Sequence, residues 1–323
     1  MLVDRYGRTI DYLRISVIDR CNLRCVYCTP EDGIELLPHE DILSYEEMLA
    51  FSEVAVGLGI KNIRLTGGEP LIRRDFVGFV ERLSAIPGLE DVSITTNAIL
   101  LEEFAEPLLK AGVRRVNVGI DTFEAEKFRK ITRLGDVSKA IAGIKKAIEI
   151  GMSPVKLIVV VMRGINDDFT PFVEMAREHP VYIRFIEYMP VTTDLDNKFF
   201  VSGKDTLDRL GAFGELLPAD SPSGAGPSRK YFRFADSKGA FGQISAMSEH
   251  FCPECSRLRL TADGKIRLCL FSDYEIDVKP ALRPEFNRTK MEELIRKAVD
   301  EKPEKYSLDG RDENGRTMSQ IGG

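Results

Sequence analysis

The sequence predicts an α/β protein built on a parallel sheet that forms an open partial barrel, followed by a smaller α+β extension. Three observations carry this. Six strand-like segments alternate with helical ones over the first 190 residues, and such alternation implies a parallel sheet with right-handed crossovers. No dinucleotide-type Gly-x-Gly-x-x-Gly follows the first strand; a cysteine-rich loop stands there instead. Near residue 218 the pattern changes to a Pro/Gly/Ser stretch followed by hairpin-like segments. On alternation alone, a doubly wound sheet remains the alternative.

The expected strands are Tyr12–Ile18, Asn62–Leu65, Val92–Thr95, Arg115–Ile120, Val155–Val161 and Tyr182–Ile186. Between them the spacing of apolar residues predicts helices over Tyr45–Leu58, Phe76–Ala85, Leu101–Ala111, Val137–Ile150 and Thr170–Glu178. Ser44 with Glu47 reads as a capping box opening the first helix. Pro218–Ser228 (PADSPSGAGPS) is a loop by composition. Lys230–Gln243 reads as a hairpin, and Arg257–Thr261 with Lys265–Leu268 as another, turning at Asp263-Gly264. Thr289–Asp300 is a helix, and the polar, Gly-rich tail after Lys305 is expected to be mobile when no ligand is bound. Domains are therefore expected at residues 1–217 and 218–323.

With 323 residues, the chain suits one large barrel or two small domains. No apolar run approaches the roughly 20 residues of a membrane span. The start, MLVDRYGRTIDYLR, lacks the apolar core of a secretory signal, so a cytoplasmic protein is expected. A net charge of −6 argues against general nucleic-acid binding. All six cysteines fall into two triplets, Cys21/Cys25/Cys28 and Cys252/Cys255/Cys269, a grouping that points to metal rather than disulfides.

The first triplet has the spacing C-x3-C-x2-C. Three thiolates can hold three irons of a 4Fe–4S cluster and leave the fourth open for chemistry, where four cysteines would mainly serve electron transfer. A zinc loop would want a fourth ligand nearby, and the next histidine, His39, is eleven residues on. The segment resembles the radical S-adenosylmethionine (SAM) superfamily, in which the open iron binds SAM. Leu65-Thr66-Gly67-Gly68-Glu69-Pro70 ends the second strand. Its paired glycines leave carbonyls unshielded for an ammonium group, and the resemblance implies that Gly68 meets SAM there. Tyr27 resembles the aromatic whose backbone meets the SAM adenine, with plain packing as the other reading. Thr95-Thr96-Asn97 ends the third strand, placed either to bond a sugar or base or to cap the next helix.

In the second triplet, a three-thiolate cluster would again leave one iron open, here to bind substrate. Zinc with His250 as fourth ligand is the rival. Arg257 and Arg259 share one strand face, and two guanidinium forks beside a cluster suit a polyphosphate; a solvated strand edge is the plainer alternative. Arg14, Arg64, Lys156 and Arg184 add cations to other strands. So much like charge inside a barrel calls for a multiply anionic ligand. The sequence closes on Gly322-Gly323, which reads either as a plain disordered end or as a tail thin enough to thread a narrow cavity.

Nearly end to end, these motifs resemble the GTP 3',8-cyclase (MoaA) family of molybdenum-cofactor biosynthesis. The resemblance rests on Cys21–Pro30, Leu65–Pro70, Thr95–Asn97, Val116–Thr122, Phe185–Pro190, Cys252–Cys269 and the closing Gly-Gly. It implies an incomplete (β/α)6 barrel of the TIM type whose C-terminal extension carries a second 4Fe–4S cluster facing the same cavity. It further implies reductive cleavage of SAM at the first cluster, hydrogen abstraction from the ribose C3′ of GTP, and attack of C3′ on guanine C8 to give 3′,8-cyclo-7,8-dihydro-GTP. By this resemblance Tyr27, Gly68 and Met189 contact SAM. Arg14, Arg64, Thr95, Lys156, Arg184, Arg257, Leu258 and Arg259 match positions that contact GTP or line its cavity. Gly322 and Gly323 are the catalytic tail. Expected partners are GTP, an external one-electron reductant of flavodoxin or ferredoxin type, and a cyclic pyranopterin monophosphate synthase that receives the product. No nucleic acid or membrane is expected, and the protein is expected as monomer or homodimer. Three departures stand out: Gly119 where the family has a serine that contacts SAM, Ala98 in place of a glycine, and Lys305-Tyr306-Ser307 where a lysine–proline stretch normally precedes a histidine. A radical SAM peptide maturase with an auxiliary cluster and an iron–sulfur redox sensor are the alternatives. The single second triplet argues against the first, and the acidic balance against the second.

Overall fold

The six expected strands form within two residues of the expected bounds, as do the five expected helices. In chain order they are β1 (Tyr12–Ser16), α1 (Tyr45–Leu58), β2 (Asn62–Thr66), α2 (Phe76–Ser84), β3 (Asp91–Thr96), α3 (Leu101–Lys110), β4 (Arg115–Gly119), α4 (Ala125–Thr132), α5 (Val137–Glu149), β5 (Val155–Val161), α6 (Thr170–Glu178) and β6 (Val181–Glu187). A computed structural model describes residues 1–189, 198–222, 230–307 and 316–322. Among these twelve elements, helix α4 is the one that the sequence reading does not announce. Its eight residues bury only Phe128, Ile131 and Thr132, too few apolar positions to mark a period. The capping box at α1 is present: Glu47 N–H donates to Ser44 Oγ at 3.1 Å, and Ser44 N–H to Glu47 Oε2 at 2.7 Å.

The remaining elements are α7 (Gly203–Gly211), β7 (Leu217–Ala219), β8 (Tyr231–Arg233), β9 (Ala240–Ile244), β10 (Arg257–Leu260), β11 (Lys265–Arg267), β12 (Glu275–Asp277), α8 (Arg288–Asp300) and α9 (Met318–Ile321). Both expected hairpins form, as β8–β9 and β10–β11. The expected boundary at 217/218 falls inside β7, which pairs with β8. Of the Pro218–Ser228 stretch, residues 223–228 lie outside the described residues, as do Pro190, residues 308–315 of the tail, and Gly323.

Among the described residues, the twelve strands belong to one sheet, in the order β12-β11-β10-β1-β2-β3-β4-β5-β6-β9-β8-β7. The six parallel strands therefore run in sequence order. A doubly wound sheet reverses direction at a switch point; this one winds in a single sense, as a barrel does. Instead of pairing with each other, β1 and β6 each take a parallel partner from the C-terminal part: β10 beside β1 and β9 beside β6. The extension thus prolongs both edges of the open barrel.

Strand alternation separates two environments. Leu13 and Ile15 of β1 join the apolar core, while Tyr12 and Arg14 face the barrel's inner cavity. The tail, expected to be mobile, ends in the one-turn helix α9. Thr317 N–H donates to Gln320 Oε1 at 2.9 Å, and Ile321 is buried. Among the described residues, no helix is long and apolar enough to cross a membrane.

Candidate functional site

All six cysteines line one cavity of about 510 Å³ at the C-terminal ends of the barrel strands. The first triplet follows β1 in a loop pressed against the turn after β2. Gly68 N–H donates to Ile18 O at 2.7 Å, and Glu69 N–H to Arg20 O at 2.9 Å. A Cβ on Gly68 would overlap the Arg20 backbone, so only glycine lets the two loops meet this closely. Glu69 is buried, and its carboxylate accepts from Leu71 N–H at 3.1 Å, Thr96 Oγ1 at 2.8 Å and Asn97 N–H at 2.7 Å. Burial raises its pKa to about 7, against the pull of those bonds. Asn97 passes the constraint on, donating from Nδ2 to Asn22 Oδ1 at 2.7 Å and toward Cys21 Sγ at 3.8 Å. Sequence reading gave Glu69 no task; a carboxylate next to two glycines at a strand end was the available signal.

Burial pushes the Cys21 thiol up to about 11 and Cys28 to about 12, the nearby Cys21 adding to the latter; Cys25 rises well above its ordinary range. Three soft donors so poorly provided with positive charge by the protein suit a cationic metal, which binds thiolate and displaces the protons. The donor set therefore fits an iron–sulfur cluster.

Around the second triplet the protein supplies cations. Burial again works against the Cys255 thiolate, yet Arg257 and Lys302 outweigh it and lower the thiol to about 6. Lys302, absent from the sequence-level candidates, is buried and donates to Leu268 O at 2.6 Å. Arg8 donates to Cys252 O at 2.8 Å. His250, the rival zinc ligand, is exposed, lies outside the cavity wall that holds the three cysteines, and packs edge-on against Tyr306 at 4.9 Å.

Register assembles the cations. Arg14 is the partner of both Arg64 on β2 and Arg259 on β10, so three guanidinium groups stand on adjacent strands. All three line the cavity with Arg184 and Arg257. Arg184 and Lys156 are fully buried. Lys156 does not reach the cavity wall. It lies on the same face of β5 as the cavity-lining Ile158 and Val160, one step deeper. Burial, then Arg184, Arg115 and Arg64, bring its amine down to about 6. Arg115 pairs with the Asp91 carboxylate, at 2.7 Å through Nε. Alternation along β10 turns the Leu258 side chain into the apolar core, whereas Arg257 and Arg259 line the cavity.

The SAM-contact candidates Tyr27, Gly68 and Met189 all line the cavity, as does Thr95. Tyr27 donates to Asp121 Oδ2 at 2.7 Å, and Asp121 Oδ1 accepts from Val160 N–H at 2.9 Å. Burial lifts Asp121 to about 6 despite these bonds. Gly119 lines the same wall, and a Cβ there would meet nothing within 4 Å, so the site has room for the hydroxyl that the family pattern carries. Ala98 adopts φ 62°, a left-handed conformation that costs a non-glycine residue roughly 1–2 kcal/mol. The tail reaches this site too: Arg259 Nη1 donates to Gly322 O at 3.1 Å.

A family model described as Radical SAM superfamily matches residues 15–176, and one described as Molybdenum Cofactor Synthesis C matches residues 181–308. A GTP 3',8-cyclase of Thermodesulfovibrio yellowstonii is 48% identical over 324 residues, covering 99% of each chain. Another from Listeria monocytogenes is 47% identical over 337 residues, covering 100% of this chain and 99% of its own. Among solved structures, Streptococcus suis SuiB matches with a TM-score of 0.63 at 14% identity over 92% of this chain and 68% of that chain. SuiB bound to S-adenosylmethionine matches with a TM-score of 0.58 at 15% identity over 84% and 63%. At such identities the likeness to SuiB is one of fold.

Proposed function

The chain belongs to the GTP 3',8-cyclase family of the radical SAM superfamily, and from that premise we propose how its residues divide the work. Its activity is GTP 3',8-cyclisation, the first step of molybdenum cofactor biosynthesis, with GTP as substrate and a 4Fe–4S cluster and SAM as cofactors. The single observation behind the assignment of residues is that both cysteine triplets and five arginines line one cavity.

Cys21, Cys25 and Cys28 would hold the SAM cluster, and Cys252, Cys255 and Cys269 a second cluster that takes the guanine. Bound there, cluster and SAM would supply the one-electron chemistry for hydrogen abstraction at ribose C3′. The chain's own residues bind and orient. Tyr27, Gly68 and Met189 contact SAM, with Glu69 holding the turn that carries Gly68. Arg14, Arg64, Arg184, Arg257 and Arg259 neutralise the triphosphate, with Thr95 nearby. Leu258 can take part only through its backbone. Forks of this kind suit phosphate oxygens, and a walled cavity keeps water from the reacting atoms. Gly322 and Gly323 complete the site at the tail. A one-electron donor of flavodoxin or ferredoxin type supplies the electron, and a cyclic pyranopterin monophosphate synthase takes the product.

Anaerobic reconstitution followed by iron analysis and 5′-deoxyadenosine assay tests this. About eight irons per chain are expected from two four-iron clusters, with SAM cleavage dependent on GTP. Only about four irons, or cleavage indifferent to GTP, would reopen the second cluster or the substrate site.

Lys156 gives the reading a pH signature. Its depressed value leaves it largely neutral above pH 6 in the free protein. Lys156 lies one step below the cavity wall, so a triphosphate bound in that cavity favours its charged form through space rather than by contact; GTP binding then takes up a proton and affinity falls as pH rises above about 6, by at most about tenfold per unit. Titrating GTP between pH 6.5 and 8.5 checks this. The slope should be shallower in Lys156→Met, and equal slopes in the two proteins would remove Lys156 from the triphosphate's reach.

A further inference from the structure

We propose that Arg316 is a positioning residue that latches the C-terminal tail into the cavity by clamping it to the β10–β11 turn and to β12. One guanidinium engages two carboxylates. Nη1 and Nη2 of Arg316 fork onto Asp263 Oδ1 and Oδ2 at 3.0 and 2.7 Å. Its Nε and Nη2 reach Glu275 Oε1 and Oε2 at 2.8 and 3.0 Å. Paired forks fix orientation as well as distance, which a single ion pair does not. Arg267 supports the clamp from behind, with Nη1 on Glu275 Oε1 at 2.7 Å, so Glu275 is held in place before the tail arrives.

Asp263 lies in the turn of the hairpin whose first strand carries Arg257 and Arg259. The clamp therefore ties the base of the tail to the same hairpin whose Arg259 grips its far end at Gly322. Between the two anchors α9 forms its capped turn, and Ile321 packs with Phe271 in a small apolar cluster beside Met189 and Cys269. Residues 316–322 are thus fixed at both ends by contacts of their own. A tail only seven residues long between anchors has little freedom once Arg316 is paired, and much more once it is not.

The inference rests on the reading that the tail takes part in cyclisation, and the test keeps the two apart. Hydrogen–deuterium exchange and steady-state kinetics are measured on full-length, anaerobically reconstituted wild type, Arg316→Gln, Arg316→Lys and Glu275→Gln. In Arg316→Gln, exchange of the 317–323 amides should rise at least about tenfold while peptides from the barrel strands stay as in wild type. Its kcat should fall more than its KM for GTP rises, with Arg316→Lys recovering part of both protection and rate. Glu275→Gln, which leaves the Asp263 fork intact, should loosen the tail to a smaller extent and serves if Arg316→Gln does not fold. Unchanged tail exchange in both variants overturns the latch, whatever the rate does. Faster exchange with wild-type kcat upholds the latch and overturns the tail's part in the reaction.

Discussion

Alanine at position 322 is expected to stop GTP-dependent 5′-deoxyadenosine release and product formation while leaving the fold and the iron content intact. Gly322 has φ 70°, and a Cβ there would stand 3.2 Å from both Ser16 Cβ on β1 and Thr66 Oγ1 on β2. Two penalties combine: the left-handed conformation costs an alanine roughly 1–2 kcal/mol, and strand atoms cannot withdraw as the tip of a flexible side chain could. The cheaper response is for the tail to leave, taking the Gly322 carbonyl from Arg259. Misplacing a positioning element by about 1 Å can cost on the order of 100-fold in rate, so at least that loss is expected. Deleting Gly322 and Gly323 should give the same phenotype. Wild-type turnover in Gly322→Ala would show that this close fit has no bearing on the chemistry.

Two arginines that the sequence presents as equals should behave differently. Arg257 bonds to Cys255 through both backbone and side chain and lies 5.1 Å over the Phe251 ring, so it belongs to the second cysteine site as much as to the triphosphate. Arg257→Ala should lose iron, falling from about eight toward about four per chain. Arg259 stands instead in the row with Arg14 and Arg64 and holds the tail. Arg259→Ala should keep all its iron and lose GTP turnover. Truncating one side of a buried charged contact costs roughly 2–5 kcal/mol, which corresponds to a fall in kcat/KM of about 30-fold to about 4,000-fold. Iron analysis and kinetics on both variants check this. Equal iron retention would mean that Arg257 is no part of the second site, and iron loss in Arg259→Ala would mean that this arginine is structural.

The chemistry was legible in the residues because cluster ligation imposes fixed local spacings. Cys21, Cys25 and Cys28 lie within eight residues, and Gly67-Gly68-Glu69 is a contiguous run at a strand end. The barrel strands were legible for a similar reason: each is a short apolar run between helices with clear periodicity and, at α1, a local cap. What stayed hidden needs partners distant in sequence. Nothing near Arg14 says that it stands between Arg64 and Arg259, the latter 245 residues on, because that follows from strand register. The same holds for Lys302 beside the second triplet and for Lys156, whose neighbours Arg64, Arg115 and Arg184 come from three other strands.

The tail shows the division most clearly. Its sequence alone, polar and ending in two glycines, describes a segment with no reason to be held. Only the tertiary structure brings Asp263 and Glu275 to Arg316, and Ser16 and Thr66 to Gly322. Motif spacing, periodicity and caps are short-range and fixed by covalent geometry, so the sequence by itself determined the two cysteine triplets, the order of barrel elements and the class of chemistry. Charge pairing and close approach depend on which strands become neighbours. The folded sheet therefore decided which cations share a wall, that the Leu258 side chain faces the core, and that residues 316–322 are anchored beside the cavity.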